Sequence, residues 1–238
     1  MLSQTAIRSD MIRRPTMPGR HAPPVSYRAF DSALEADSLA QQMGLMGAPM
    51  SYPRNTEIFG ENEPADYVYK VISGSVRTYK ILNDGRRQIG GFYLPGDIFG
   101  LQFADEHALS AEAITDTKVL VVKRSALNAL AGRDAGVGRD LFNLTSRELR
   151  RMQNRILLLV KSAQERVASF LLEMAERASA GNIVELPMSR QDIADYLGLT
   201  IETVSRTLTC LESAAAIEVP SSRRIVLRNR STLNRLNG

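Results

Sequence analysis

Three side chains, Glu202, Ser205 and Arg206, carry the chemistry most readily read from this chain. An arginine can donate two parallel hydrogen bonds to guanine O6 and N7. A glutamate can accept from a cytosine N4 amino group, and a serine hydroxyl can serve either strand. Their spacing groups them on one side of a helix, where residues three and four apart are neighbours. The same Glu202 and Arg206, at i and i+4 with the glutamate first, could also form an ordinary surface ion pair worth about 0.3 to 0.5 kcal/mol. What decides between base reading and surface pairing is the segment around them.

That segment, residues 188–208, reads as two helices joined by a tight turn. Ser189 opens the first as an N-cap, with Asp192 three residues on as an imperfect capping-box partner. Ile193, Ala194 and Leu197 recur at helical spacing and give an apolar face. Gly198 stands where the turn needs positive φ, followed by Leu199 as the buried turn residue. Thr200 caps the second helix, and Val204, Leu208 and Leu211 form its inward stripe. Ile201, Glu202, Thr203, Ser205 and Arg206 are left facing outward, at the positions a helix-turn-helix inserts into a major groove. On this reading Glu202, Ser205 and Arg206 read bases in double-stranded DNA. Ser189, Arg190, Thr200, Ile201 and Thr203 make backbone or flanking contacts, and Arg223 and Arg224 meet phosphates from the basic stretch that follows.

Composition is consistent with this. The chain has 238 residues, 44% of them hydrophobic, enough for one large or two modest domains. Its one cysteine, Cys210, excludes a disulfide framework and a thiolate cluster for zinc or iron–sulfur, and points to a reducing compartment. The longest aliphatic run, residues 156–160, is far too short to cross a bilayer. The N-terminal stretch shows no apolar signal core. A soluble, cytoplasmic protein with no membrane partner is expected. The net charge of +4 is uneven: residues 1–30 hold five arginines and one acid, and residues 220–238 hold five arginines and no acid.

Residues 1–28, with Pro15, Pro18, Pro23, Pro24 and scattered arginines, read as a mobile arm. From 50 to 125 the chain breaks into short alternating runs, 67–72, 76–82, 88–93 and 119–123, separated by Gly74, Asn83-Asp84-Gly85 and Pro95-Gly96-Asp97. Such spacing predicts an antiparallel β-roll or jelly roll. From 139 to 163 the period becomes helical. Phe142, Thr145, Leu149, Met152, Ile156, Leu159 and Ala163 hold a heptad register, an apolar seam for a second helix. A homodimer joined through Phe142, Leu149, Met152, Ile156 and Leu159 is expected; packing of the same helix on its own roll is the alternative.

The order of β-roll, long helix and helix-turn-helix resembles the CRP/FNR superfamily of bacterial transcription regulators over residues 30–230. The resemblance is carried by Gly74-Ser75-Val76, by Leu94-Pro95-Gly96-Asp97-Ile98-Phe99-Gly100, by Glu165-Arg166-Val167-Ala168-Ser169-Phe170-Leu171 and by the helix-turn-helix. It implies an α+β chain divided into an arm (1–28), a sensor-like roll (29–138), a dimerisation helix (139–163) and a winged helix-turn-helix (164–238). The glutamate, two residues, then serine-arginine resembles the FNR-type recognition helix, which implies TTGA half-sites read at Glu202, Ser205 and Arg206, and RNA polymerase as a partner.

Within the superfamily, cyclic-nucleotide binders carry a ribose-binding glutamate and a phosphate-binding arginine just before a Ser-Ala pair. Here Gly100-Leu101-Gln102 occupies the first region and Leu109 precedes Ser110-Ala111. A cyclic phosphate buried without a cation is strongly disfavoured. Iron–sulfur members need several cysteines. A haem ligand would have to come from His21 in the arm or His107, read as an exposed loop residue. With no cofactor or metal expected, the remaining resemblance is to the FixK-type branch, activators of genes for microoxic respiration and nitrogen fixation. Some members of that branch lose DNA binding when a cysteine of the DNA-binding domain is oxidised, which makes Cys210 the redox candidate, although an inert, half-buried thiol is the simpler reading. Two other functions stay open: an effector-gated regulator of the same fold with haem or another small ligand in the roll, and a cupin-like metalloenzyme, against which two distant histidines argue.

Overall fold

The computed structural model describes residues 36–102, 104–158 and 160–237. The arm, His21, the start of the roll before residue 36, and Leu159 lie outside them. Helix α1 (Ala36–Met46) precedes eight strands: β1 (Ala48–Tyr52), β2 (Glu57–Phe59), β3 (Tyr67–Ser73), β4 (Val76–Ile81), β5 (Arg87–Tyr93), β6 (Ile98–Phe99), β7 (Ser110–Ala113) and β8 (Thr117–Lys123). Helices α2 (Arg124–Ala131), α3 (Ala135–Leu158) and α4 (Ala163–Ala178) follow, then β9 (Ser179–Ala180) and β10 (Ile183–Glu185). The chain ends with α5 (Arg190–Leu197), α6 (Ile201–Ser213), β11 (Ile217–Ser221), β12 (Arg224–Leu227) and α7 (Arg230–Asn237).

The first eight strands form two four-stranded antiparallel sheets, ordered β1-β8-β3-β6 and β2-β7-β4-β5. This is the expected β-roll, and the four alternating runs fall on β3, β4, β5 and β8. The alternation arises because each strand turns one face inward. In β5, Ile89 and Phe92 are buried while Arg87 and Gln88 are half-exposed. Between the sheets an aromatic cluster fills the interior. The Tyr69 and Phe99 rings stack at 5.1 Å, Phe59 lies 5.3 Å from Tyr69, and Tyr93 lies 5.2 Å from Phe99. His107, expected on the surface, is buried here with its ring 3.6 Å from that of Phe59. The reason is local pairing: its backbone bonds to Glu63 and Asn62 on both sides, which draws the loop inward.

The β4–β5 ladder pairs Thr78 with Gly91 and Tyr79 with Ile89, which leaves Gly90 unpaired in a bulge.

The long helix departs from expectation at both ends. It starts at Ala135, four residues early, and stops at Leu158, so Ala163 belongs to the next helix. The physical cause is a second cap: Ser162 N–H donates to Glu165 Oε2 at 2.6 Å, and Glu165 N–H reaches Ser162 Oγ at 3.4 Å, a reciprocal box that restarts the chain as α4. One face of α3 packs through buried Val137, Asp140 and Leu144 against α1 and α2. Its other face stays bare. Phe142, Leu149, Met152 and Ile156 expose 71%, 56%, 63% and 65% of their surface, far more than a residue packed on its own roll would.

Helices α4 to α7 and the sheet β11-β12-β10-β9 make the C-terminal unit, a helix-turn-helix with a β-hairpin wing. Its core includes Phe170, Leu171, Met174, Ile193, Leu197, Val204, Leu208, Leu211 and Leu233, and it takes in Ile89, Phe92 and Ile114 from the roll.

Gly74 and Gly85 test the backbone argument cleanly, because both sit at φ +82°. A Cβ at Gly74 would lie 2.5 Å from Thr117 Oγ1 and 2.7 Å from Thr117 Cα, and also against the Asp116 carbonyl; at Gly85 it meets open space. Gly85→Ala should therefore cost only the left-handed strain, about 1 to 2 kcal/mol, and Gly74→Ala that plus roughly 1 to 3 kcal/mol of overpacking. Denaturant midpoints of the two variants measure the difference.

Candidate nucleic-acid interface

Ser189 caps α5 from an extended conformation. Its Oγ accepts from Asp192 N–H at 3.1 Å, and Asp192 Oδ2 returns a bond to Ser189 N–H at 2.9 Å, so the box is complete with aspartate in the place usually taken by glutamate. Gly198 adopts the left-handed conformation at φ 63°, ψ 41° that ends α5, and Leu199, half-buried, packs on the core. Thr200 Oγ1 accepts from Thr203 N–H at 3.2 Å and starts α6. These three local devices turn the sequence motif into two helices in contact.

The outward face of α6 is as expected. Val204, Leu208 and Leu211 are buried, joined by Thr207; Ile201, Glu202, Ser205 and Arg206 are exposed and Thr203 is half-buried. Among the described residues Glu202 and Arg206 form no ion pair within 4 Å. Instead the Glu202 carboxyl turns toward the helix start. Hydrogen bonds from its own backbone N–H and from Thr200 hold it below the usual carboxylate range, with a smaller effect from the Arg206 charge. The surface pair is not made, and the guanidinium stands ready for another acceptor. Ser205 donates its hydroxyl proton to the Ile201 carbonyl at 2.8 Å, which leaves its oxygen to accept.

The flanking residues divide. Ser189 is exposed, but its hydroxyl also donates to Asp192 Oδ2 at 2.8 Å and so is engaged within the cap. Arg190 is half-buried; burial pushes its guanidinium below arginine's usual value, and Nη1 is buried without a hydrogen-bond partner. Arg223 lies in the turn of the wing, exposed, and Arg224 reaches Glu185 at 3.4 Å, also exposed. Of the arginines beyond, Arg228 pairs with Glu218, and Arg230 donates to the Gly181 carbonyl at 3.2 Å. Cys210, expected half-buried, is exposed one turn beyond Arg206, because the α6 stripe buries Thr207, Leu208 and Leu211 instead.

The residue that sequence reasoning undervalued is Asp192. Beyond its cap, its side chain is only 3% exposed and carries bonds from Arg77 and Arg87 of the roll. The available signal was a carboxylate on the inward side of an amphipathic helix, next to Ile193, a position that demands a cationic partner.

The interior of the roll holds the aromatic cluster, and Leu109, just before Ser110-Ala111, has its Cδ1 close to Gly90. Ser110 Oγ is taken by Glu61 N–H at 2.9 Å, and Arg124 is drawn off to the carbonyls of Gln102 and Ala104. Among the described residues no group of three His, Cys, Asp or Glu side chains is placed to hold a metal, and no helix is long and apolar enough to cross a membrane.

A β-roll carrying a winged helix-turn-helix with an open recognition face defines a class: a DNA-binding transcription regulator, not an enzyme. Known proteins give the same result. The Crp-like helix-turn-helix domain model matches residues 165–236 and the cyclic nucleotide-binding domain model matches residues 49–134. The nitrogen fixation regulation protein FixK of Azorhizobium caulinodans is 51% identical over 211 residues, 86% of this chain and 85% of that protein. Its namesake in Rhizobium meliloti is 40% identical over 197 residues, 79% and 90% of the two chains. The structure of FixK2 from Bradyrhizobium japonicum superposes with a TM-score of 0.78 at 52% identity, covering 81% of this chain and 98% of that one. The chain belongs to the CRP/FNR superfamily and, within it, to the FixK branch, which sets the cupin-like alternative aside.

Burial holds the His107 imidazole below its ordinary value of 6.5. Above about 6.5 the ring is neutral folded or unfolded; below it the unfolded chain takes up the proton first, so stability falls as the pH falls. His107→Phe should flatten that part of the acid limb, seen as a smaller loss of denaturant midpoint between about pH 7.5 and about pH 5.5 than the native chain shows.

Proposed function

We propose that this protein is a cytoplasmic activator of genes for microoxic respiration or nitrogen fixation, which binds as a homodimer to a TTGA-type palindrome and recruits RNA polymerase. The reading is carried by the face of α6, where Glu202 and Arg206 lie side by side, exposed and not paired with each other. Arg206 takes the guanine, Glu202 the cytosine amino group opposite, and Ser205, its proton committed, offers an acceptor. Ile201 supplies apolar contact for a thymine methyl. Thr200 and Thr203 flank the face, and Ser189, Arg190, Arg223 and Arg224 line the phosphates.

Dimerisation through α3 is supported by the bare seam of Phe142, Leu149, Met152 and Ile156, with Leu159 next in the register. An apolar stripe this exposed is the sign of a missing partner helix. Two-fold symmetry then places the recognition helices about 34 Å apart, one helical turn of DNA. Binding without cyclic nucleotide, haem or iron–sulfur cluster is supported by the filled roll, by Leu109 in the phosphate position and by the single cysteine. Cys210, exposed beside the reading face, is where an oxidised thiol would interfere with DNA.

Two measurements test this. In gel shifts against a TTGA palindrome, without added cyclic nucleotide, Arg206→Ala should cost about 1 to 3 kcal/mol of binding and relax preference at its guanine. Equal affinity of native and variant chains for matched and scrambled sites would refute the base-reading role. Ile156→Glu should turn a dimer into a monomer in sedimentation and remove the concentration dependence of the thermal midpoint, while the monomer stays folded, since the side chain is largely exposed in the single chain. A native chain that sediments as a monomer would refute the dimer.

A further inference from the structure

Strand β5 touches three helices. Its first residues reach α5: Arg87 donates from Nε to Asp195 Oδ2 at 2.8 Å and from Nη2 to Asp192 Oδ1 at 2.6 Å, and Gln88 Nε2 donates to the Asp195 carbonyl at 2.8 Å. Beside it on β4, Arg77 reaches the same Asp192 Oδ1 from Nη1 at 3.1 Å, while Glu112 holds its Nη2 at 2.7 Å. In mid-strand the Gly90 bulge presents two successive carbonyls, Ile89 and Gly90, to the guanidinium of Arg155 on α3. The same guanidinium covers the Tyr196 ring of α5, 4.7 Å from its centre. Near its end, the Phe92 carbonyl accepts from Arg177 of α4 at 2.6 Å.

The helix that bears the apolar seam and the first helix of the helix-turn-helix are thus fastened to one strand. The fastening to α5 is directional. Asp192 has almost no access to water, so its charge depends on the two arginines and on Ser189. A planar guanidinium shared between two carboxylates tolerates little rotation, unlike a lysine ammonium. None of these groups lies on the outward face of α6, yet α6 packs on α5, so any swing of α5 about the roll moves Glu202 and Arg206 with it.

We propose that Arg77, Arg87, Asp192 and Asp195 are positioning residues that set the spacing at which a dimer of this chain reads its two half-sites. The proposal rests on the dimeric reading above. One base pair between half-sites changes their separation by about 3.4 Å and their relative rotation by about 34°, so spacing is only read if each recognition helix is held firmly relative to α3. The clamp supplies that hold and contributes no contact to DNA.

The test uses the full chain and two kinds of duplex: a single TTGA half-site, and palindromes whose central spacer is stepped one base pair at a time around the optimum. The variants are Arg87→Ala and Asp195→Asn, both at partly solvated positions. The native chain is expected to prefer its optimal spacer by about tenfold over spacers one base pair longer or shorter, and each variant to flatten that preference to about twofold. On the single half-site the variants should stay within about twofold of the native chain. A merely structural role would lower binding to all duplexes together and leave the spacer optimum in place. That result, or an unchanged optimum in both variants, overturns the proposal. Sedimentation separates the two readings, because a native monomer removes the dimer, whereas a dimer whose variants keep a sharp optimum removes only the clamp.

Discussion

A carboxylate buried in the first helix of a DNA-binding motif is the constraint around which the rest of this molecule is arranged. Removing such a charge from water costs several kcal/mol unless opposite charge and hydrogen bonds replace the solvent. Asp192 meets that requirement with two guanidiniums from another part of the chain and two donors from Ser189. Everything else follows from where those guanidiniums come from. Arg77 and Arg87 are at opposite ends of the β4–β5 pair, with Val76 facing Tyr93 and Ile81 facing Arg87. The sheet therefore has to lie flat against α5, and the hydrophobic core closes across the join through Ile89, Phe92 and Ile114.

Under the proposed clamp, the roll serves as a bracket for α5. Its interior is occupied by its own aromatic rings and by His107, and Arg124 is turned to the neighbouring carbonyls of Gln102 and Ala104. A domain of this architecture can report on a ligand only if binding moves something. Here the strands that would have to move are those bonded to α3, α4 and α5. The fold that serves other members of the superfamily as a sensor is compatible, in this chain, with a fixed mount for the reading head.

Much of this was legible in the amino-acid sequence, and the failures are instructive. Strand runs were visible because alternation has a period of two and the turns carry Gly74, Asn83-Gly85 and Pro95-Asp97. The reading face of α6 was visible because burial of Val204, Leu208 and Leu211 leaves only one side free. The end of the long helix is hidden in the sequence because the heptad continues through Ala163, across the Ser162–Glu165 cap that divides it. His107 was misplaced because two backbone bonds, which leave no trace in composition, pull its loop inward. Asp192 reads in the sequence as a cap alone because its partners are 115 and 105 residues away, a separation that no local pattern spans. Local signals fix local geometry; ion pairs between distant segments have to be seen.

The bare stripe on α3 has a consequence beyond geometry. A chain that shows Phe142, Leu149, Met152 and Ile156 to water when alone has apolar surface to bury against a twin, and under the dimeric reading proposed above the active species forms by a second-order step. Below the dissociation constant of that step, the amount of dimer rises with the square of the number of chains in the cell. Synthesis and proteolysis would then be felt at the promoter with doubled sensitivity, and dosage alone could work as a switch.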